Sequence, residues 1–436
     1  MNTRMWNSDI ETIDEELLAR NQLADLKTTV NHALKTPFYS KLLAETGITS
    51  GEDISSLEDL QSIPYTTKDD LRRAYPYGLL SAPLEDVVRI HVSSGTTGVP
   101  TVIYHSTADL DCWTELIARS VIATGATRDD VFQNMMTYGL FTGGLGLHYG
   151  AERVGMLVIP AGSGNTQRQL KLMKDFQTTV VHATPSYLLH IHAQLANGEV
   201  GKDELALRKA FVGAEPHSEN VRKKIEELFG IDVYNSYGLS EMNGPGVSFE
   251  CVHKDGMHVW EDAYIMEVID PDSGTGVENG QEGELVFTTL KRAATPLLRY
   301  RTRDLSYVYP DPCPCGRIHR RIGRIKGRTD DMLIINGVNV YPSQIEEAIM
   351  KLPEIGTNYQ IIVEKSGALD RLTVKTEVHE GIFSDDARDM NVLRVKVIES
   401  LRSSIVISPV VEFHEPGVLP VQEGKAKRVF DLRKEE

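Results

Sequence analysis

Three short apolar runs, TTVVHA at residues 178–183, KAFVG at 209–213 and IDVYN at 231–235, set the fold of this 436-residue chain. Residues 186–195, between the first two runs, have the three- and four-residue apolar spacing of a helix, and a capped helical segment precedes the third run. Strands that alternate with helices predict an α/β fold, with mostly parallel sheets covered by helices. The loops that follow such strands shape ligand pockets.

The same alternation extends toward the N-terminus. Apolar residues within 23–34 recur at helical spacing and predict a helix that ends before Pro37. Residues 154–159 form a strand-like apolar run, and residues 165–177 again have the spacing of a helix. The strand and helix pattern therefore covers much of the first half of the chain.

The pattern changes in the second half. Short strands and turns predict a β-rich subdomain at about residues 245–328. After the polar stretch GRTD at 327–330, two helices and several strands predict a small α+β domain. We therefore expect residues 1–328 to form a large N-terminal domain and residues 329–436 to form a small, mobile C-terminal domain.

Composition excludes several classes of protein. The chain has 46 Lys and Arg against 62 Asp and Glu, a net charge of −16, which disfavours binding to nucleic acid or to an anionic membrane surface. It has no run of ~18 apolar residues and no apolar N-terminal signal, so we expect neither a membrane span nor secretion. With only four cysteines, a disulfide framework is not expected, and a reducing cytoplasm is the natural compartment.

The strongest local signal is SSGTTG, directly after the apolar stretch 87–92. Glycines let a loop turn its amide groups toward an anion, and hydroxyls add further donors. Val99 and Pro100 stand where a Walker motif needs Lys and Ser or Thr, so a P-loop NTPase is disfavoured. The alternative is a Ser/Gly-rich surface turn. The loop residues are Ser93, Ser94, Gly95, Thr96, Thr97 and Gly98.

Five motifs occur in order along the chain, and together they are far more specific than any one of them. They are SSGTTG (93–98), YGLSE (237–241), YRTRD (300–304), GRTDD (327–331) and GK (424–425). With them the chain resembles the adenylate-forming superfamily of acyl- and aryl-CoA synthetases, and most closely its phenylacetate–coenzyme A ligase family. The closer likeness rests on YGLFTGG (138–144), GAEP (213–216), RYRTRDL (299–305) and GVNVYP (337–342), and it covers essentially the whole chain.

The resemblance implies an enzyme that activates an aryl or arylacetic acid with ATP and Mg²⁺, then passes the acyl group to coenzyme A. Transfer to a carrier-protein thiol or to an amine is an alternative, and a non-catalytic nucleotide-binding module is another. Glu241 and Lys425 argue against the last, since neither is needed merely to hold AMP. The resemblance also suggests a homodimer. The sequence does not name the acid.

The resemblance assigns the nucleotide to a defined set of residues. The 93–98 loop would hold the β- and γ-phosphates, Tyr237 would stack on adenine, and Asp304 would accept hydrogen bonds from the ribose hydroxyls. The alternative for Asp304 is a surface ion pair with Arg301 or Arg303. The remaining residues of the implied nucleotide site are Gly213, Ala214, Glu215, Pro216, Asn235, Ser236, Gly238, Ile325 and Arg328.

The resemblance also implies catalytic residues and a hinge. Lys425 would bridge the carboxylate and the α-phosphate as they meet, with Lys427 as its rival, and Glu241 would help to hold Mg²⁺. Asp330 would be the hinge of the small domain, and its alternative is an ordinary surface linker residue. The acyl pocket would be formed by Tyr138, Phe141, Thr142, Gly143 and Gly144, which could equally be core residues at a sheet edge.

Three cysteines and a histidine form a separate pattern. Three thiolates and one imidazole make a good tetrahedral zinc set, although C-x-C is tighter than the usual C-x₂-C. Because many members of the resembled family lack these cysteines, we expect a structural rather than a catalytic ion. His253 or His319 could replace the histidine, and unrelated reduced cysteines are the alternative. The predicted zinc ligands are Cys251, His258, Cys313 and Cys315.

Overall fold

The structure is a computed structural model that describes residues 4–93, 99–195, 200–366, 369–379, 382, 387–420 and 427–434. Its helices are α1 Ser8–Glu11, α2 Glu15–Leu34, α3 Pro37–Ala44, α4 Lys68–Arg73, α5 Thr107–Ala123, α6 Thr142–Val154, α7 Thr166–Asp175, α8 Pro185–Leu195, α9 Glu219–Phe229, α10 Pro342–Met350 and α11 Ala387–Ile405.

Its strands are β1 Val87–Ser93, β2 Thr101–Ser106, β3 Val131–Asn134, β4 Leu157–Ile159, β5 Val180–Ala183, β6 Lys209–Val212, β7 Asp232–Leu239, β8 Gly244–Glu250, β9 Met257–Val259, β10 Tyr264–Ile269, β11 Gly283–Thr289, β12 Tyr300–Ser306, β13 Arg321–Ile322, β14 Gly327–Arg328, β15 Leu333–Ile335, β16 Val338–Val340, β17 Ile355–Ser366, β18 Leu369–Val378, β19 Val410–His414 and β20 Val429–Asp431.

The largest sheet has eight strands in the order β13-β9-β8-β7-β6-β5-β3-β4. Strands β3 to β7 pair in parallel, as predicted, whereas β8, β9 and β13 are added antiparallel. Helices cover both faces of this sheet. Because neighbouring residues of a strand point to opposite faces, they pack against different helices. Phe211 of β6 packs with α5 and α6, while Ala210 and Val212 pack with α8 and α9.

The predicted β-rich subdomain divides between two sheets. Strands β10, β11, β12 and β14 form a separate four-stranded antiparallel sheet. Strands β8, β9 and β13 instead extend the large sheet, because a short 3₁₀ turn at Ser240–Met242 folds the chain back beside β7.

Local sequence signals place most helix ends. The Ser218 hydroxyl accepts the Val221 N–H at the start of α9, and Gly230 ends that helix with a left-handed φ of 72°. The run at 154–159 was predicted as a strand, but Val154 is the last residue of α6 and Gly155 ends the helix with φ 90°. Only Leu157–Ile159 form a strand, β4, at the edge of the sheet.

The small C-terminal unit has its own core. Strands β17 and β18 pair antiparallel and are flanked by β19 and β20 in one sheet. Buried residues between Leu333 and Val411 pack together beneath α10 and α11. This independent core agrees with the predicted small α+β domain. Within the described part of the chain, no helix is long and apolar enough to cross a membrane.

Candidate active site

Two neighbouring parallel strands place the predicted adenine-binding residues side by side. Val212 of β6 pairs with Asn235 of β7, so Gly213–Pro216 and residues 235–238 meet at one edge of the sheet. A Cβ on Gly213 would lie 2.5 Å from the Ser236 carbonyl oxygen, so a side chain there would collide with β7. The next residue, Ala214, has a left-handed φ of 66°, an uncommon conformation outside glycine.

Asp304 lies at the centre of a buried polar cluster. The Tyr237 hydroxyl donates to Asp304 Oδ2 at 2.7 Å, and Arg328 Nη1 donates to Oδ1 at 3.0 Å. Burial raises the pKa of Asp304 to about 6, although Arg328 and the Tyr237 hydroxyl act in the opposite direction. Of the two arginines that were the alternative partners, Arg301 pairs with Glu284, and the hydrogen bonds described above come from Tyr237 and Arg328 rather than from Arg303.

Glu241 lies in a second polar cluster, which extends to Ser93 at the start of the predicted phosphate loop. Its carboxylate is 5% exposed and accepts from the Thr101 hydroxyl at 3.4 Å. Thr101 in turn is hydrogen-bonded to Ser93, the last described residue before the loop. Residues 94–98 lie outside the described part of the chain, so Ser93 is the only residue of that loop whose position is known.

The sequence analysis missed Lys68, which reaches Glu241 from the N-terminus of α4. Its ammonium lies 3.3 Å from Glu241 Oε1. Thr67 caps this helix and thereby fixes the start of α4. The capping pattern could have located the helix, but no local motif links Lys68 to a residue so far along the chain.

The predicted acyl-pocket residues lie at the start of α6. The Tyr138 hydroxyl lies 3.1 Å from both Asn134 Nδ2 and His148 Nδ1, and burial raises the pKa of Tyr138 to about 12. Thr142 is buried 3.4 Å from the Ser240 hydroxyl, next to Glu241. Phe141 is 45% exposed, and Gly143 and Gly144 belong to the first turn of α6. Among these residues, Thr142 is therefore close to Ser240, the residue that precedes Glu241.

Two further predicted residues, Ile325 and Asp330, lie on either side of Arg328 in the sequence. Ile325 is half-buried against the main hydrophobic core. Asp330 accepts from Arg328 through both carboxylate oxygens, at 2.8 and 3.0 Å, so Arg328 links the predicted hinge to Asp304. Lys425 lies outside the described residues, whereas Lys427 is described, with its ammonium 5.0 Å from the centre of the Phe430 ring.

The predicted zinc ligands come together at a separate place in the large sheet. The ligand atoms of Cys251, His258, Cys313 and Cys315 all lie within 4.8 Å of one another and are buried. Cys251 Sγ is 3.7 Å from Cys313 Sγ, and Cys315 Sγ is 3.3 Å from His258 Nε2. None of the four cysteines of the chain forms a disulfide.

The two alternative histidines have other positions. His258 Nδ1 lies 2.9 Å from the His319 carbonyl oxygen, which turns Nε2 of His258 toward the cysteines. The ring of His319 accepts from the Glu261 backbone N–H at 3.3 Å, and His253 is exposed outside the cluster. His258 is therefore the histidine of this group.

Family models and known proteins match the chain over most of its length. Residues 15–290 match the AMP-binding enzyme family, and residues 337–433 match the AMP-binding enzyme C-terminal domain. A phenylacetate-coenzyme A ligase of Thermus thermophilus is 44% identical over 445 residues, which cover 99% of this chain and 100% of that protein.

Solved structures are also similar. The chain matches 2-hydroxyisobutyryl-CoA ligase in the postadenylation state, in complex with R3-HIB-AMP, with a TM-score of 0.92, 27% identity and coverage of 99% and 93%. For the same enzyme with 2-HIB-AMP and CoA in the thioesterification state, the TM-score is 0.73 at 28% identity and the same coverage.

Proposed function

Because the chain belongs to the phenylacetate–coenzyme A ligase family of AMP-binding enzymes, we propose that it converts an arylacetic acid such as phenylacetate into its coenzyme A thioester. The observation that carries this proposal is the full-length similarity to a ligase of that activity, together with the cluster of Tyr237, Asp304 and Arg328. Two carboxylate oxygens held by neutral and cationic donors suit the two hydroxyls of a ribose.

The proposed reaction has two halves. A carboxylate oxygen of the acid attacks the α-phosphorus of ATP, and the bond to the leaving pyrophosphate breaks. The sulfur of coenzyme A then attacks the acyl carbon of the adenylate, the thiol proton is lost, and AMP leaves. Positive charge between the two anions of the first half lowers their repulsion, which is the role we assign to Lys425.

The cluster around Glu241 would hold the metal-bound end of ATP. A carboxylate and phosphate oxygens are ligands that Mg²⁺ prefers, and the ion would neutralise the developing charge of pyrophosphate. Lys68 supports this placement, since its ammonium lies 3.3 Å from Glu241 and brings a second positive charge to the same point. The acid would lie beside Thr142 and Tyr138, with its carboxylate directed toward the α-phosphate.

Pyrophosphate release against a panel of acids, each with and without coenzyme A, tests the proposal. The panel should contain phenylacetate, indoleacetate, benzoates and short fatty acids. We expect release with arylacetates and formation of the thioester only when coenzyme A is present. Adenylate that accumulates and ignores coenzyme A would favour transfer to a carrier protein or to an amine. Absence of release with every acid would contradict the proposal.

We also propose that Cys251, His258, Cys313 and Cys315 bind a structural Zn²⁺. Zn–S bonds of about 2.3 Å in a tetrahedron separate two sulfurs by about 3.8 Å. The observed 3.7 Å between Cys251 and Cys313 fits that spacing without rearrangement. The ion would join β8, β9 and the turn before β13.

We also propose that the protein is a cytoplasmic homodimer. Four free cysteines favour a reducing cytoplasm, and the family resemblance favours a homodimer. Sedimentation equilibrium over a range of protein concentrations would test the dimer, and a monomer at all concentrations would contradict it.

A further inference from the structure

Glu346 belongs to α10 of the small C-terminal unit, but its carboxylate is bonded across to the large N-terminal part. Oε1 accepts the backbone N–H of Ser218 at 2.9 Å, and Oε2 accepts the hydroxyl of Tyr359 at 2.6 Å. Glu346 is only 8% exposed, so its carboxylate has exchanged water for these two donors. Ser218 is also the residue that caps α9, where the helix dipole favours a negative charge.

The surroundings of Glu346 are shared by both parts of the chain. The guanidinium of Arg428 lies 4.3 Å from the centre of the Tyr359 ring. Met350, at the end of α10, packs against the core of the small unit and also against the core formed with α8 and α9. Burial raises the pKa of Glu346, and the Tyr359 hydroxyl and Arg428 oppose that effect.

These contacts lie next to the proposed nucleotide site. Ser218 follows Pro216 of the adenine slot by two residues, and Glu215 of that slot accepts from the Ser186 N–H at 2.7 Å. On the other side, Arg428 follows Lys425 by three residues in the sequence. The Glu346 carboxylate thus links a residue two positions after the proposed adenine site to Tyr359 of β17, the strand that pairs with β20 after the segment containing the proposed catalytic lysine.

We infer that Glu346 is a positioning residue that holds the small domain in the orientation for adenylate formation. The inference rests on the proposed two-step reaction. The arrangement of the two parts resembles the postadenylation structure of 2-hydroxyisobutyryl-CoA ligase more closely than its thioesterification structure. Any rotation of the small domain away from α9 must separate Glu346 from Ser218, and a buried hydrogen bond to a charged group is costly to break.

Rates of the two half-reactions in Glu346→Ala test this inference. We expect adenylate formation to fall by about tenfold relative to thioester formation from preformed acyl-adenylate. Glu346→Gln retains an oxygen that can accept from Ser218, so it should recover part of the loss. Tyr359→Phe removes one of the two donors and should change the ratio in the same direction. Because Tyr359→Phe changes the side-chain volume less, this variant can still test the inference if Glu346→Ala does not fold.

The matched control is Glu354→Ala. Glu354 belongs to the same domain and pairs with Lys396 of α11, so its loss breaks an ion pair that does not cross to the N-terminal part. We expect its ratio of half-reactions to equal that of the wild type. An unchanged ratio in Glu346→Ala and Tyr359→Phe, or equal loss of both half-reactions, would overturn the inference.

A second measurement separates this inference from the proposed function. Trypsin can cut after Lys326 and Arg328, in the stretch that connects the two parts. Without any substrate, we expect faster cleavage there in Glu346→Ala than in the wild type or in Glu354→Ala. Equal cleavage in all three proteins would overturn the inference. If the wild type released no pyrophosphate with any acid, the proposed function would be contradicted. The rates of trypsin cleavage would still show whether Glu346 holds the two parts together.

Discussion

The hydrogen bonds and the pKa of Asp304 depend on residues that are distant from it in the sequence. The family resemblance carried by YRTRD assigns Asp304 to the ribose hydroxyls, and the alternative is an ion pair with Arg301 or Arg303. Its partners are Tyr237 and Arg328, which are 67 and 24 residues away in sequence. Burial by the surrounding strands then raises its pKa, and no local pattern carries that information.

The affinity for adenosine should depend on pH through Asp304. Its pKa of about 6 lies above the value of the free side chain, so the carboxylate is ionised above pH 6 and becomes protonated as the pH falls through 6. A protonated carboxyl accepts fewer hydrogen bonds, and we expect affinity to fall by about tenfold from pH 7.5 to pH 5. Adenosine is the suitable probe because it has no phosphate that titrates in this range.

Asp304→Asn is the control for that measurement. It should bind adenosine weakly at every pH, with a flat profile, because the amide does not titrate. If the variant and the wild type had parallel profiles in calorimetry, another group would be responsible for the pH dependence.

Lys425→Ala should abolish adenylate formation and leave much of thioester formation from preformed acyl-adenylate. The lysine acts where two anions meet, and that encounter is over once pyrophosphate has left. Single-turnover assays of each half-reaction measure the difference. Lys427→Ala is the control, and a larger defect there would move the role by two residues. Equal loss of both half-reactions in Lys425→Ala would contradict the assignment.

At the scale of elements, periodicity predicted the parallel strands well because they are buried on both faces and separated by capped helices. It failed at Val154, which is apolar because it is the last residue of α6 and packs in the core shared with α5 and the large sheet, and not because it belongs to a strand. It also did not show that β8, β9 and β13 extend the large sheet. That pairing depends on the turn at Ser240–Met242, since the same strands could have joined either sheet.

The proposed zinc ion would join two neighbouring strands of the large sheet to the turn that precedes β13. Cys251 directly follows β8, His258 belongs to β9, and the turn with Cys313 and Cys315 precedes β13. Next to this turn, Arg317 forms a fully buried ion pair with Glu11 of α1, so the cluster also supports the N-terminal helix. Residue type alone suggested the four candidate ligands, whereas the position of His258 rather than His319 in the cluster required the structure.

Cys315→Ser should lower the zinc content from about one equivalent to nearly none and lower the melting temperature by several degrees. Elemental analysis and calorimetry measure the two quantities. The control is Cys112→Ser, which changes the one cysteine outside the cluster and should retain the metal. Wild-type protein without stoichiometric zinc, or Cys315→Ser with unchanged stability, would contradict a structural zinc site.

At the scale of the whole molecule, the ordered motifs predicted two domains and a nucleotide site between strand ends. They could not predict how the domains contact each other. Ser218 and Glu346 are 128 residues apart, and neither belongs to a recognisable motif. The same limit applies to Lys68 and Glu241, because an ion pair between distant segments leaves no periodicity in the sequence.

Rotation of the small domain at Asp330, the proposed hinge, is a prediction about the whole molecule. One site must first align Lys425 with ATP and then admit the thiol of coenzyme A, which a single rigid arrangement does not easily allow. Asp330→Pro restricts φ at the proposed hinge. If it traps the first orientation, adenylate formation should persist while thioester formation slows by roughly tenfold or more.

That substitution also removes the carboxylate that binds Arg328, so its control must separate the two effects. Asp330→Ala loses the same two hydrogen bonds to Arg328 but keeps a freely rotating backbone. A hinge predicts that only the proline variant slows thioester formation selectively in single-turnover assays. If both variants change both half-reactions together, the ion pair with Arg328 matters and the rotation does not. If neither variant changes either rate, Asp330 is an ordinary linker residue, and the change of orientation must be accommodated elsewhere between the two domains.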